Sequence, residues 1–316
     1  MSVPLTSPEP PDGSLIYSRW RCRAVSPHDT GAPPLAARFS ATLRGQRRYR
    51  VNEFRGKTAV VTGGAGGIGR AMALTFAEEG MNIVIADVEM DTAAKTAAEI
   101  EAKGVRCIAV ETDVSSRESV ANLADRAFAE MGGVHILCNN AGVVSWGPSH
   151  LLTDHDWDWV IGVDLLGVIY GVQAFAARMV EQDEECHIVS TASIAGLVAH
   201  QGIAPYNVAK FGVVALTETM RVDLADTKVS ASVLCPGGVR TRIMESDRNR
   251  PDSMGGPGDF QERAGAMPPE PIDPMIVGQR VLDAIKADAP YIVTHKDQKA
   301  MVEGRFNPIL EAFDRL

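Results

Sequence analysis

A tyrosine and a lysine four residues apart, Tyr206 and Lys210, are the side chains with the clearest capacity for proton transfer. On a helix, residues at this spacing share one face, so the phenol and the ammonium would be neighbours. A phenol titrates near ~10 and is a poor base at neutral pH, but a nearby cation favours the phenolate. Tyr206 could then exchange a proton with an alcohol or a carbonyl. Ser193 lies 13 residues earlier, directly after an apolar segment, and its hydroxyl could polarise the reacting oxygen.

A glycine-rich segment, TGGAGGIG at residues 62–69, lies between a predicted strand and a predicted helix. Glycines bring backbone N–H groups close to a pyrophosphate, and the following helix directs the positive end of its dipole at that anion. In this context the segment indicates dinucleotide binding. The expected contacts are Gly63, Gly67, Ile68 and Gly69.

Asp87 closes the second predicted strand, 18 residues after Gly69. A carboxylate there can accept hydrogen bonds from the adenosine ribose and would repel a 2′-phosphate. Because the glycine segment has no basic residue before Arg70 to compensate, NAD is favoured over NADP. Asp113 and Val114, after the third predicted strand, are placed to contact the adenine, although an acidic turn before a helix explains Asp113 as well.

From Phe54 onward, short apolar strands alternate with helices, which predicts an α/β fold with a doubly wound parallel sheet of the Rossmann type. We expect one catalytic domain over residues 53–316, with helices on both faces of the sheet. Residues 240–273, rich in Pro, Gly and Met, are predicted to form a substrate lid. Strands are predicted at 57–62, 82–87, 105–110, 134–139, 187–190, 229–235 and 291–294, and helices at 69–79, 91–103, 115–131 (capped by Ser115), 153–180, 206–226, 274–287 and 302–316.

These motifs occur in order with Asn139-Asn140-Ala141-Gly142 and Pro236-Gly237-x-Val239-x-Thr241. The chain resembles the short-chain dehydrogenase/reductase family over about residues 54–295. The resemblance implies that Lys210 also holds the nicotinamide ribose. It further implies cofactor contacts from Asn140, Ala141, Gly142, Pro236, Gly237, Val239 and Thr241, with Asn140 steadying its strand and Val239 and Thr241 meeting the nicotinamide carboxamide.

One position departs from the family pattern. Members usually carry an asparagine in the long helix that completes a tetrad with Ser, Tyr and Lys, and the matching residue here is Asp164. If that role belongs to the backbone carbonyl, an aspartate serves equally well. If it needs the side-chain amide, activity falls or the pH profile shifts. A carboxylate near Lys210 would also keep the lysine protonated.

The function expected is an oxidoreductase that moves a hydride between NAD(H) and a secondary alcohol or ketone. A hydrophobic or aromatic substrate is expected because Val143–Trp146, His200, Gln201 and the lid, with Met244, Met254 and Met267, should line the pocket. An equally good interpretation is that Trp146 and the three methionines only cover the helix. Two alternatives stay open: a 3-oxoacyl thioester reductase that uses NADPH, and a catalytically impaired NAD-sensing protein.

Charge and composition restrict the partners. Residues after position 50 carry 23 basic and 37 acidic side chains, and a body this acidic repels nucleic acid. The most apolar stretch, 159–180, is interrupted by Asp164 and Arg178, which favours a buried helix over a membrane span. Cysteines without paired spacing predict neither a disulfide framework nor a metal site and indicate a reducing, cytoplasmic setting. Apolar helices at 153–180 and 206–226 suggest a homodimer or homotetramer.

The first 52 residues differ from the rest, with seven prolines and no helical or strand period. They are interpreted as a disordered extension or as the product of an upstream start site. A mitochondrial transit peptide is the alternative, since residues 1–50 hold eight arginines, but the first eighteen residues contain two acids and no basic residue.

Overall fold

The computed structural model of the chain describes residues 50–258 and 270–315. Seven strands within these ranges form one parallel sheet: β1 (Thr58–Thr62), β2 (Asn82–Asp87), β3 (Cys107–Glu111), β4 (Ile136–Asn139), β5 (Cys186–Thr191), β6 (Val229–Cys235) and β7 (Tyr291–Val293). Their order in the sheet is β3-β2-β1-β4-β5-β6-β7, which places β4 beside β1, so the chain reverses its winding direction between the two halves.

Helices connect successive strands, and the predicted single-domain, doubly wound α/β fold is confirmed. In such a sheet, ligands bind at the carboxyl ends of the strands beside the point where the winding reverses. The α-helices of the described ranges are α1 (Gly67–Glu78), α2 (Met90–Glu101), α3 (Arg117–Met131), α4 (Asp154–Ile161), α5 (Gly167–Glu181), α6 (Ala204–Asp223), α7 (Pro274–Ala287) and α8 (Lys299–Phe313).

Alternation along the strands divides the core into two layers. On β1, Ala59 and Val61 join a cluster with α1 and α7, whereas Val60 belongs to the cluster on the opposite face, with residues of α3 and α5. All three side chains are fully buried. Successive strand residues point to opposite faces, so a sheet covered on both sides needs uninterrupted apolar runs. Burial of each aliphatic side chain stabilises the fold by about 1.5–3 kcal/mol. The strands therefore consist of apolar runs, which are visible in the sequence.

Two helix predictions need correction. The long helical stretch expected over 153–180 is present, but it contains a π-helical turn, Gly162–Leu166, between α4 and α5 that the prediction lacked. The predicted cap Ser115 is also wrong, because α3 is capped by Ser116, whose hydroxyl accepts from Ser119 N at 3.2 Å. The apolar periodicity of a long helix does not reveal a single widened turn within it. It also does not show which of two adjacent serines caps a helix.

The limits of the domain also differ from the prediction. Val51, assigned from sequence to the extension, is buried with Phe54 in the core, so the folded domain already includes it. The predictions for residues 1–49 lie outside the described residues. After β6 the predicted lid contains two short 3₁₀ turns, Ile243–Asn249 and Asp252–Met254. Residues 259–269, with Met267, lie outside the described residues as well.

The continuous helical stretch Asp154–Glu181 is long and apolar enough to cross a membrane by length and composition. One third of its most apolar 18-residue window is buried inside the protein. Its buried residues include Val168 and Phe175, which pack against the strands and helices of the fold. The stretch therefore serves as a packing element of the α/β domain.

Candidate active site

The glycine segment forms the turn between β1 and α1. Gly63 and Gly67 have positive φ angles, +63° and +53°, a region that L side chains rarely adopt. A Cβ on Gly69 would lie 2.1 Å from the Gly63 carbonyl oxygen, so only glycine lets the helix start this close to the turn. Gly66 caps α1 without a side-chain hydrogen bond, which leaves the positive end of the helix open to an anion.

Asp87 lies at the end of β2, where the sequence placed it. One oxygen accepts a hydrogen bond from Ala65 N at 2.9 Å and the other from Glu89 N at 3.0 Å, which fixes the carboxylate beside the glycine turn. Asp113 is held by Ser115 N at 2.9 Å and by the Ser115 hydroxyl at 2.6 Å. Both aspartates and Val114 line the same cavity as the glycine turn.

Asn140 joins the ends of three strands. Its backbone N–H donates to the Thr62 hydroxyl at 2.8 Å, its side-chain amide donates to the Thr62 carbonyl at 3.0 Å, and its amide oxygen accepts from the Thr191 hydroxyl at 3.3 Å. These bonds hold β1, β4 and β5 together at the point where the winding reverses. Asn140, Ala141 and Gly142 line the cavity, together with Pro236, Gly237, Val239 and Thr241 from the segment after β6.

The candidate catalytic side chains converge on one cavity. Ser193 follows β5, its hydroxyl accepts from Ala195 N at 3.1 Å, and it lines the same cavity as Tyr206 of α6. The Lys210 Nζ lies 5.3 Å from the centroid of the Tyr206 ring and donates to the Thr191 carbonyl at 3.0 Å. The structure thus brings together the three residues that the sequence selected.

Asp164 reaches this group because of the π turn. Its Oδ2 lies 3.0 Å from Lys210 Nζ, and its Oδ1 accepts from Val143 N at 2.7 Å. Asp164 and Lys210 are both buried, with side-chain exposures of 0% and 2%. The carboxylate that replaces the family's usual asparagine is therefore an ion-pair partner of the lysine.

Burial is the main influence on the titration of this group. It raises the pKa of the Tyr206 phenol above the ordinary value; Lys210 and Ser193 lower that pKa, and Asp164 raises it. The ammonium of Lys210 lowers the pKa of the phenol, as expected, but burial and the Asp164 carboxylate outweigh it, so the pKa of Tyr206 is raised overall. Burial lowers the pKa of Lys210, but Asp164 and Tyr206 outweigh burial and hold it above its ordinary value.

The substrate end of the cavity is largely apolar. Val143, Trp146, His200 and Gln201 line it as expected, and Met244 contributes from the segment after β6. Val144 is buried in a neighbouring cluster, and Met254 packs with Trp159 and Val160, so these two residues do not line the cavity as the sequence suggested.

A charged cluster at the adenosine end was missed from sequence. Glu89 accepts hydrogen bonds from Arg242, Arg248 and Asn249, which come from the segment after β6. The glycine turn itself contains no compensating basic residue, as expected, but the fold brings two arginines of a distant segment to the same cavity, where both are paired with Glu89. The arginines within residues 240–250 were the only sequence feature that pointed to this cluster. Their partner Glu89 lies more than 150 residues earlier, so the pairing could not be predicted from sequence.

The cavity has a volume of about 770 Å³, within the range of ligand pockets. It is lined by the glycine turn, where a side chain at Gly63 would clash with Ala141, by the carboxylate at the end of β2 and by the tyrosine–lysine pair. These residues fit a dinucleotide. In the described part of the chain, no group of three or more His, Cys, Asp or Glu could hold a metal ion. The fold and the site define a dinucleotide-dependent oxidoreductase.

Comparison with known proteins agrees with this class. The family model for short chain dehydrogenase matches residues 57–252. A solved short-chain dehydrogenase/reductase from Burkholderia phymatum, in complex with NAD, is 38% identical over 82% of this chain and 96% of its own, with a TM-score of 0.77. The C alpha-dehydrogenase of Sphingobium sp. is 31% identical over 83% of this chain and 88% of its own length. The 3beta-hydroxysteroid dehydrogenase 2 of Eggerthella lenta is 35% identical over 60% of this chain and 74% of its own.

The chain therefore belongs to the short-chain dehydrogenase/reductase family and is an oxidoreductase with a nucleotide-binding Rossmann fold. The relative solved with NAD supports NAD(H) as the cofactor.

Proposed function

We propose that this protein transfers a hydride between NAD(H) and the carbinol carbon of a hydrophobic or aromatic secondary alcohol, or the corresponding ketone. The observation that carries the proposal is the convergence of Ser193, Tyr206 and Lys210 on the cavity that holds the glycine cradle. Asp87, at the end of β2, favours NAD(H) over NADP(H) because it would repel a 2′-phosphate.

Each side chain has a distinct part in the chemistry. Bound NAD(H) would supply or accept the hydride. In the direction of reduction, the Ser193 hydroxyl hydrogen-bonds the carbonyl oxygen, and Tyr206 gives its proton to that oxygen as the C–H bond forms. In oxidation, Tyr206 takes the hydroxyl proton instead. Lys210, held by Asp164 and Thr191, stabilises the charge that develops on the phenol oxygen.

The apolar lining supports the substrate class. Trp146 and Met244 offer an aromatic and a flexible apolar surface to a substrate, and Ile203 and Trp159 extend it. A large apolar pocket with few polar groups binds substrates through buried area and uses those polar groups for orientation. Two relatives are named as a C alpha-dehydrogenase and a 3beta-hydroxysteroid dehydrogenase, and the second name specifies a hydroxyl-bearing, largely apolar substrate.

The test is a panel of aliphatic and aromatic secondary alcohols with NAD, followed by the absorbance of reduced nicotinamide. We expect turnover on the hydrophobic members and a loss of about 10²–10⁴-fold in Tyr206→Phe. Tyr170→Phe is the matched control, since Tyr170 stacks against Arg117 and does not line the cavity. Unchanged activity in Tyr206→Phe would refute the mechanism.

We also propose that the chain forms a homodimer or homotetramer through α5 and α6. Leu166, in the π turn directly before α5, and Val208, on α6, expose 36% and 51% of their surfaces, and the most apolar window of the stretch Asp154–Glu181 is only one third buried. Apolar helix faces of this kind commonly become protein interfaces. A monomer in light scattering at micromolar concentration would contradict this assembly.

A further inference from the structure

Glu89 lies two residues beyond Asp87 and collects basic groups from a distant part of the chain. Its Oε2 accepts from Arg242 Nη2 at 2.7 Å, and its Oε1 accepts from Arg248 Nε at 2.9 Å and from Asn249 Nδ2 at 2.8 Å. Burial opposes the ionisation of this carboxyl, but the hydrogen bonds from Asn249, Arg242 and Arg248 outweigh it and lower the pKa of Glu89 to about 2.

The cluster lies at the end of the cavity where an adenosine ribose would be bound. Glu89 N donates to the carboxylate of Asp87 at 3.0 Å, and Arg242 Nη2 lies 3.7 Å from the position of a Cβ on Gly66. Glu89, Arg242 and Arg248 all line the cavity together with Asp87. Arg242 therefore lies beside the glycine turn, and both guanidinium groups belong to the same cavity wall as Asp87.

The acidic and basic side chains at this end of the cavity neutralise each other. Two carboxylates, Asp87 and Glu89, face two guanidinium groups, so the net charge of the four side chains is zero. An arginine presents a fork of N–H donors that suits a phosphate as well as a carboxylate. Glu89 engages Nη2 of Arg242 and Nε and Nη2 of Arg248, which are donors that would otherwise suit a phosphate on the ribose.

We propose that Glu89 is a positioning residue that sets the preference between NAD(H) and NADP(H) by engaging Arg242 and Arg248. It acts through the arginines: while they are bound to Glu89, a 2′-phosphate meets Asp87 without a free cation to offset it. Removal of the Glu89 charge leaves this end of the cavity with a net charge of +1. It releases Nη2 of Arg242 and Nε and Nη2 of Arg248, while Nη1 of Arg248 stays bound to the carbonyls of Arg242 and Glu245. This inference depends on the proposed dinucleotide cofactor.

The test uses binding rather than turnover. The full-length protein and Glu89→Gln are titrated calorimetrically with 5′-AMP and with adenosine 2′,5′-bisphosphate, two probes that differ only in the 2′-phosphate, and then with NAD and NADP. We expect the wild type to prefer 5′-AMP and NAD. In Glu89→Gln the ratio of the two Kd values should move toward the 2′-phosphorylated probe by on the order of tenfold, and the gain should weaken at high salt.

Two further variants make the result specific. Glu89→Gln combined with Arg242→Met and Arg248→Met should lose the gain, because the arginines carry it. Glu78→Gln is the matched control: it also removes a carboxylate paired with a basic residue, Lys103, but it lies outside the cavity and should leave the ratio unchanged.

The outcomes separate the two proposals. If the wild type binds neither 5′-AMP nor NAD, the cofactor assignment fails. If the wild type binds both but Glu89→Gln leaves the Kd ratio unchanged, or weakens both probes equally, Glu89 only anchors the segment after β6 and the specificity role is overturned. A gain that survives removal of both arginines would also overturn it.

Discussion

The ion pair between Asp164 and Lys210 makes the sharpest prediction about catalysis, through the substitution Asp164→Asn. The two charges are 3.0 Å apart and buried, which corresponds to a gross attraction of about 5.5 kcal/mol at an effective dielectric constant of ~20. Each oxygen of the Asp164 carboxylate has a partner: one pairs with Lys210 and the other accepts from Val143 N. An asparagine has only one oxygen, so its NH₂ group would face either Lys210 or Val143 N, which are both donors.

Removal of one partner from a buried ion pair costs about 3–5 kcal/mol, since the other charge is left uncompensated. Asp164→Asn retains the shape of the side chain and one acceptor, so the loss in unfolding free energy should lie near the lower end of that range. Thermal or urea denaturation of the two proteins under identical conditions measures this difference directly.

The pH dependence of alcohol oxidation tests the catalytic role of Asp164. Asp164 raises the pKa of both Tyr206 and Lys210, so its removal lowers both. The phenol loses its proton at lower pH, which moves the rising limb of alcohol oxidation toward acid. Lys210 loses its proton at lower pH as well, because burial lowers its pKa and the Asp164 carboxylate no longer opposes that effect. The loss of the Lys210 charge sets the falling limb of the profile, so this limb also moves toward acid.

The assay is kcat/KM for oxidation of the best alcohol across the pH range in which the protein stays folded. Asp288→Asn is the matched control, because Asp288 forms an equally buried ion pair with Arg221, 2.9 Å away, and does not line the cavity. It should lose stability while keeping the wild-type pH profile. A profile of Asp164→Asn that stays in place, or that moves toward alkali, would refute the electrostatic role of Asp164.

Three further predictions follow from single contacts. In Gly69→Ala, the new Cβ meets the Gly63 carbonyl oxygen at 2.1 Å, so NAD binding and melting temperature should both fall; a variant with wild-type titration curves would contradict the cradle. Because the pKa of Tyr206 is raised, the kcat/KM of alcohol oxidation should climb with pH from neutral toward alkaline conditions, while a flat profile would argue against the phenol as base. The pKa of Glu89 is lowered from 4.5 to about 2, so its contribution to stability is present above pH 4.5 and is lost toward pH 2; Glu89→Gln and wild type should converge in acid denaturation, and an undiminished difference would exclude this linkage.

Local patterns were sufficient for the sheet and for the three candidate catalytic side chains. The strand Asn82–Asp87 was predicted residue for residue, because a strand buried on both faces is an unbroken apolar run that ends at a polar residue. The helix Pro274–Ala287 was also predicted with correct limits, since Asp273 caps it and proline occupies its first turn. These signals are local, and the sequence displays them directly.

The parts that failed depend on contacts between distant residues. The π turn at Gly162–Leu166 differs from an α-helix by one residue in a turn, and the apolar period on either side conceals it. The pairing of Glu89 with Arg242 and Arg248 joins residues more than 150 positions apart, which a charge count cannot resolve. The net direction of the Tyr206 pKa depends on burial, which the spacing of Tyr206 and Lys210 does not report.

The same kind of interaction, an acid bound to basic groups, operates in opposite environments at the two ends of the cavity. Asp164 and Lys210 are shielded from solvent, so their interaction is little screened, and a change of charge there should register in the pH dependence of the chemical step. The side chains of Glu89 and Arg242 retain exposures of 18% and 48%, so ions from solution compete for them. Salt concentration should therefore separate the two roles. Raising it should alter the discrimination between NAD and NADP while leaving the pH profile of alcohol oxidation in place, and a profile that moves with salt would show that solvent reaches the Lys210 pair.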